Sequence, residues 1–378
     1  MPLFLSPQGT LSPAGILLLF GFPLLLLEYH HRHFNGLLFY VGFALSAAIL
    51  ITTIAFNVLG GGDDDNSNLL VKKNEPASSV VRKLSENLNS RDYCIQCIHY
   101  LYASLRTTPS NLKILHQLHF PSLIPKILAI HDKDDLVGNV CFTAVTNLLT
   151  VEKKRKEDSS KSPDDEPLSS QSTNEICTDV SVYIKFMSNS LEREKCRENE
   201  NDECAISAAE LQRKGCLLVG SLADISPKFQ NDLVKSNAIQ SVLDAARFFR
   251  LDVPVTQWAM MALFSICYDN PSGKLVLLEE GGFEVIVSAV NQHLNESLHV
   301  VRQSVATLFD VLRITNEIDF NKVRMAAFNA GLIEMLEAVR DSDHGKDSSI
   351  SQMVTIILEN CRPTAIPAVD GVMRQRKK

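Results

Sequence analysis

The sequence is poor in the residues that build β-sandwiches and barrels. It holds one Trp, Trp258, in 378 residues, and aromatics make up 7%. Leu, Val, Ile and Ala dominate an apolar content of 45%, so most of the chain has enough apolar surface to fold, and that mix suits stacked helices. Basic charge is not in excess either. The formal net charge of -7 disfavours general nucleic-acid binding, which leans on a basic face. A disulfide framework is missing: the nine cysteines are odd in number and scattered through apolar stretches. That usage predicts free thiols in a reducing compartment. One glycosylation sequon, Asn295-Glu296-Ser297, points instead towards a lumenal domain. No nucleophile elbow, Walker loop, His-Glu-x-x-His or dinucleotide glycine motif occurs. The expectation is a non-catalytic chain with no cofactor and no metal.

Charge is absent altogether from residues 1–27 and again from residues 37–60. A spanning helix needs about 20 apolar residues, so 37–60 qualifies unaided. The first segment qualifies when counted from about residue 11. A cleaved signal peptide would want a basic start and a small-residue exit. Here Met1–Thr10 has no Lys or Arg, and the apolar core exits into Glu28-Tyr29-His30. The reading is an uncleaved membrane hairpin, about 11–27 and 37–60, with a single span at 37–60 as its rival. Basic residues after the second segment (Lys72, Lys73, Arg82, Lys83) place the rest of the chain on the cytoplasmic side. The surface of the endoplasmic reticulum or of the outer mitochondrial membrane is the expected location.

Beyond the apolar segments, Gly60-Gly61-Gly62-Asp63-Asp64-Asp65 opens a flexible linker, 63–77. Helical periodicity then runs over 78–361. Two breaks interrupt it, a polar loop at 152–175 and a charged loop at 192–203. A basic tail, 362–378, ends in Arg374-Gln375-Arg376-Lys377-Lys378.

Within the array, the stretch Gly215–Leu294 matches itself when shifted by 44 residues. Ser221 falls on Ser265, Pro227 on Pro271, Leu233 on Leu277 and Ala245 on Ala289. Cys97 and Cys141 are spaced the same way. Each copy reads as an apolar helix ending near a Pro, a second short helix, a small-residue turn (Asn237-Ala238 or Gly281-Gly282), and another helix. A helical period of 40–47 residues is typical of stacked repeat arrays, in which one unit cannot bury its own apolar face.

These units resemble armadillo repeats, clearly from about residue 205 and more loosely over 91–361. The resemblance implies an all-α armadillo-type solenoid behind the membrane segments, with third helices lining a groove for a partner protein, whether peptide or folded domain. Importin- and catenin-type members use an Asn near the end of each third helix, often with a Trp one turn earlier. Asn147 matches that Asn. The corresponding positions in later units are Ser221, Ser265, Asp310 and Asn360. One turn earlier stand Thr143, Leu217, Met261, Ala306 and Ile356, with no Trp among them. This departs from the import-receptor pattern and leaves a partner groove of different chemistry. Some members of the family carry an N-terminal membrane anchor, and this architecture is similar to theirs. The leading expectation is therefore a membrane-anchored, non-catalytic scaffold or adaptor. A regulator of nucleotide exchange on Hsp70-type chaperones is the second reading suggested by the resemblance.

Three local clusters carry rival chemistry. His30, His31 and His33 lie between the apolar segments and would suit either a metal or a membrane interface; a membrane enzyme or metal protein is the third reading. Cys94-Ile95-Gln96-Cys97 lacks the second Cys pair of a zinc ribbon and reads as two small core residues. The run Lys153, Lys154, Arg155, Lys156, followed by Ser162-Pro163, reads as a basic and regulatory loop for an anionic surface or an acidic partner.

Overall fold

The structure is a computed structural model, described over residues 71, 75–108, 110–159, 179–196, 203–313 and 317–361. The chain divides into two units, 1–68 and 69–378, and the description concerns the second. The apolar segments 11–27 and 37–60, the His30/His31/His33 cluster, Ser162 and the basic tail lie outside the described residues. Among the described residues no helix is long and apolar enough to cross a membrane, and no group of His, Cys, Asp and Glu is arranged to hold a metal.

Sixteen helices are described. They are α1 (Ala77–Glu86), α2 (Arg91–Thr107), α3 (Asn111–Gln117), α4 (Phe120–Ile130), α5 (Asp135–Ser159), α6 (Val180–Lys195), α7 (Glu203–Ala223) and α8 (Pro227–Lys235). There follow α9 (Ala238–Phe248), α10 (Val253–Cys267), α11 (Pro271–Glu279), α12 (Gly282–His293), α13 (Leu298–Val311), α14 (Glu317–Asn329), α15 (Leu332–Asp341) and α16 (Ser348–Cys361). They repeat as short first, intermediate second and long third helices. The third helices α2, α5, α7, α10, α13 and α16 pack side by side in chain order. The second helices α4, α6, α9, α12 and α15 form a parallel layer, each touching the next.

The sequence sets the ends of these helices by the same devices in successive units. Ser226 and Asn270 cap the first helices α8 and α11, accepting from Phe229 N and Gly273 N, and Pro227 and Pro271 follow at once. An N-cap acceptor satisfies an otherwise orphaned N–H, and a proline costs nothing where no N–H is needed. Asp252 and Ser297 cap the third helices α10 and α13. The turn into each second helix needs a left-handed residue. His119, Asn237, Gly281 and Gly331 supply it at φ of 54°, 60°, 68° and 73°. Glycine tolerates that region without steric cost, and Asn tolerates it better than most side chains.

The boundaries differ from the sequence reading in three places. Helix α4 starts at Phe120, with Pro121 in its first turn, whereas the sequence places the start near Ser122. Helix α5 runs on through Lys153–Lys156 to Ser159, beyond the loop boundary at 152, because Lys, Glu and Arg are good helix formers even without an apolar stripe. Helix α6 likewise extends through Glu192 to Lys195.

One apolar core runs through the whole array. It includes Leu101, Ile124, Val145, Tyr183, Leu218, Ile239, Leu263, Ile286, Leu308, Leu336 and Ile357. Glycines mark its closest approaches. A Cβ on Gly138 of α5 would come within 2.3 Å of the Phe186 ring. That ring is itself held edge-on by Phe142, with ring centroids 6.0 Å apart.

Candidate functional site: the row of third helices

Each third helix buries one face and leaves another partly open. On α10 the open positions are Gln257, Trp258, Met261 and Phe264, continuing past the helix end to Tyr268, which is 51% exposed. This spacing of three and four residues traces a single helical stripe. The equivalent stripe on α13 is Arg302, Gln303, Ala306, Phe309 and Arg313, and on α16 it includes Gln352, Met353, Ile356 and Glu359. On α7 it is Arg213, Lys214, Leu217 and Ser221. On α5 it is Thr143, Thr146, Asn147 and Thr150, carried on by the exposed Lys153 and Lys154.

The sequence-derived positions fall at the third-helix ends in differing states. Ser265 and Asp310 are each 6% exposed. Asp310 is turned into the unit: its carboxylate lies 2.8 Å from Lys274 Nζ, which also donates to the Asp310 carbonyl at 2.7 Å. The Ser265 carbonyl receives Gln230 Nε2 at 2.9 Å. Gln230 and Lys274 occupy matching places on the first helices α8 and α11, so each first helix seals the end of its own third helix. Asn147 and Ser221 are half-buried and bond to their own helices, through Asn147 Nδ2 to the Thr143 carbonyl and Ser221 Oγ to the Leu217 carbonyl, at 2.9 and 2.8 Å. Asn360 is exposed. Arg155 and Lys156 lie on the helical backbone of α5.

The row has two chemical halves. Over α2, α5 and α7 it is polar and carries excess positive charge. Glu210 Oε1 is 2.6 Å from Arg213 Nη2 and 3.4 Å from Lys214 Nζ, so two cations face one carboxylate. Burial holds the Lys214 ammonium below its usual pKa, with Glu210 opposing that shift. His99 on α2 is held low by its own burial and then by the charge of Lys214. Electrostatic contact between α2 and α7, two helices apart, shows how closely alternate third helices approach above the small Thr side chains of α5. His99 Nδ1 also lies 3.1 Å from the Tyr102 hydroxyl.

Over α10, α13 and α16 the row is apolar and aromatic. Phe264 packs at a tilt against Tyr268, with centroids 5.5 Å apart. The Arg313 guanidinium lies 5.7 Å from the Phe309 ring centre, a cation–π arrangement. Gly220 stands on α7 where α10 has Phe264. A Cβ there would lie 3.5 Å from the Ala262 backbone and 3.6 Å from the Met261 methyl, so Met261 spans the step between the two helices.

Sequence reasoning named Met261 only as a position one turn before the family Asn, and missed Trp258, Phe264, Phe309, Lys214 and His99. The readable signal was α10 itself: Val253–Cys267 is apolar on nearly every face. A helix that apolar has more non-polar surface than one core contact covers.

The cysteines are quiet. Cys94, Cys97, Cys141, Cys216, Cys267 and Cys361 are buried and Cys196 is exposed. Burial pushes the Cys94 thiol up to about 11 and those of Cys97, Cys216 and Cys267 up to about 12. A thiol so protonated is a poor nucleophile and a poor metal ligand.

No known protein family and no curated protein sequence matches this chain. Solved structures do. An engineered protein solved by the Northeast Structural Genomics Consortium superposes with a TM-score of 0.53 at 15% identity, covering 75% of this chain and 96% of its own. A second engineered protein from that consortium gives 0.53 at 14% identity, with 76% and 99% covered. A designed armadillo repeat protein in complex with the peptide (KR)4 gives 0.52 at 13% identity, covering 76% of this chain and 100% of its own. The helical array of this chain thus has an armadillo-like repeat fold.

Proposed function

We propose that the chain is a non-catalytic adaptor that holds a protein partner on its row of third helices at an organelle membrane. The observation that carries the reading is the open stripe Trp258, Met261 and Phe264, continued by Phe309 on the next third helix. Large apolar side chains left partly exposed in one contiguous patch mark interaction surfaces. Aromatic and Met side chains are enriched in the buried centres of interfaces. The designed armadillo repeat protein with its bound peptide supports the use of such a fold for peptide capture. The membrane part of the proposal rests on the uncharged segments 11–27 and 37–60 and on their length. Tethering a binding module to a surface raises the local concentration of whatever it captures.

The test is site-specific photo-crosslinking from the full chain in cells. A crosslinker at Met261 is expected to trap a discrete protein partner. One at Ser288, exposed on α12 in the second-helix layer, is expected to trap none. Equal yields from both positions would remove the partner-row reading. Alkaline carbonate extraction tests the tether separately: the chain is expected to stay with the membrane pellet, and release into the supernatant would refute that part.

A further inference from the structure

The two halves of the row differ in chemistry, and the difference specifies the occupant. Lys153 and Lys154 are exposed on the last turns of α5, in line with Thr143, Asn147 and Thr150, and neither has an ion pair among the described residues. Beside them on α7, one carboxylate serves both Arg213 and Lys214. The Lys214 side chain is only 23% exposed, so its charge has lost most of its water. A partly desolvated cation sharing a carboxylate gains more from a further anion than a solvated surface lysine does. Two helices on, the row turns apolar at Trp258, Met261 and Phe264.

We infer that the partner presents an acidic stretch of Asp and Glu residues, seated over Lys153, Lys154 and Lys214, joined to an apolar anchor seated on Trp258, Met261 and Phe264. This rests on the adaptor reading and specifies the ligand chemistry of the same row. Charge complementarity chooses the acidic partner over a basic one. The spacing follows from the fold. Neighbouring helix axes lie about 8–10 Å apart, so the two steps from α5 to α10 cover about 20 Å. An extended segment rises about 3.3 Å per residue, which puts about six residues between the acidic stretch and the anchor.

Trp258 is the only Trp in the chain and lies on the anchor surface, so its emission reports occupancy of the row. The experiment titrates the full-length chain with Trp-free synthetic peptides. The first has four acidic residues, a six-residue Gly-Ser spacer and a Leu-Phe-Leu anchor. The second replaces the four acidic residues by Lys. The third has the acidic stretch and a two-residue spacer. The first is expected to shift Trp258 emission to the blue saturably. The second should bind at least tenfold more weakly, and the third more weakly than the first. Lys153→Glu combined with Lys154→Glu should weaken the first peptide tenfold or more, leaving thermal melting unchanged because both side chains are exposed.

Equal binding of the acidic and basic peptides overturns the inference, as does unchanged affinity in the double variant. Phosphatidylcholine vesicles containing phosphatidylserine are a second polyanion; if they shift Trp258 as the first peptide does, an acidic peptide is not the occupant. Should Met261 crosslink a partner in cells while no peptide shifts Trp258, the adaptor reading stands and this inference falls. If Met261 traps nothing and no peptide binds, both fall.

Discussion

His131 and His293 make the same bond in different units. His131 Nε2 donates to the Leu88 carbonyl at 2.9 Å, and His293 Nε2 donates to the Arg250 carbonyl at 2.8 Å, each reaching 43 residues back. Both sit at the end of a second helix and tie it to the turn that follows the preceding second helix. Arg193 does similar work at the α4–α6 step, donating to the Asp132 carbonyl at 3.1 Å and pairing with Asp135. Replacing His293 by Ala leaves a carbonyl without its donor and a void where a fully buried ring stood. The expected cost is about 2–3 kcal/mol, read as a lowered urea midpoint. His131 is only half-buried, so His131→Ala should cost about 1 kcal/mol.

Lys274 and Asp310 form a buried ion pair, each side chain 8% exposed. Lys274→Met strands the Asp310 carboxylate and is expected to cost about 3–5 kcal/mol. Lys274→Met combined with Asp310→Leu should recover most of that loss, since a well-packed apolar pair rivals a buried ionic one. Thermal melting of the single and double variants decides the matter; a double variant as unstable as the single one contradicts the assignment.

Acid should weaken the array at its third-helix starts. Burial raises the pKa of Asp134, but its bond to Arg91 and the Val137 N–H outweigh that and hold it low overall. Asp347 is held low by the Ser349 hydroxyl, then Arg302 and the Ile350 N–H. Each carboxylate is more acidic folded than unfolded. Its stabilisation is therefore complete above the unfolded value of about 3.9 and is lost as pH falls through the lower folded value. Asp134→Asn and Asp347→Asn keep a capping acceptor and remove the charge. They should flatten the loss of stability between about pH 4 and pH 2, measured by urea unfolding across that range.

Thiol labelling should separate the cysteines by burial. With iodoacetamide at pH 8 under native conditions, Cys196 is expected to react first, and Cys94, Cys97, Cys141, Cys216 and Cys267 only after unfolding. Peptide mass mapping of the labelled chain reads the order. Rapid labelling of the Cys94–Cys97 pair would mean that α2 opens at its start.

Much of this was legible in the sequence, and the reason is local. Ser226-Pro227 and Asn270-Pro271 announce a cap and a helix start, and Gly281 and Gly331 announce a left-handed turn. The 44-residue offset follows from those signals alone. His119 hid the same turn, because a His gives no sign that it will adopt positive φ. The third-helix row was found, but its surface was not. Whether a residue near the end of a third helix faces out depends on what the first helix of its unit places beside it. Lys274 pulls Asp310 inward; that pairing spans 36 residues and no local pattern encodes it. Gly220 was equally silent, since its meaning comes from Met261 on the neighbouring helix.

Gln230 and Lys274 have one more implication. Each closes the exposed carbonyl end of a third helix from inside its own unit, so no unit relies on its successor to finish that helix. An array built this way can lengthen or shorten by whole units without creating a raw edge. Duplicating the block from Ser226 to Asp269 should yield a longer, still folded chain, and the row would gain one more position for a partner to occupy.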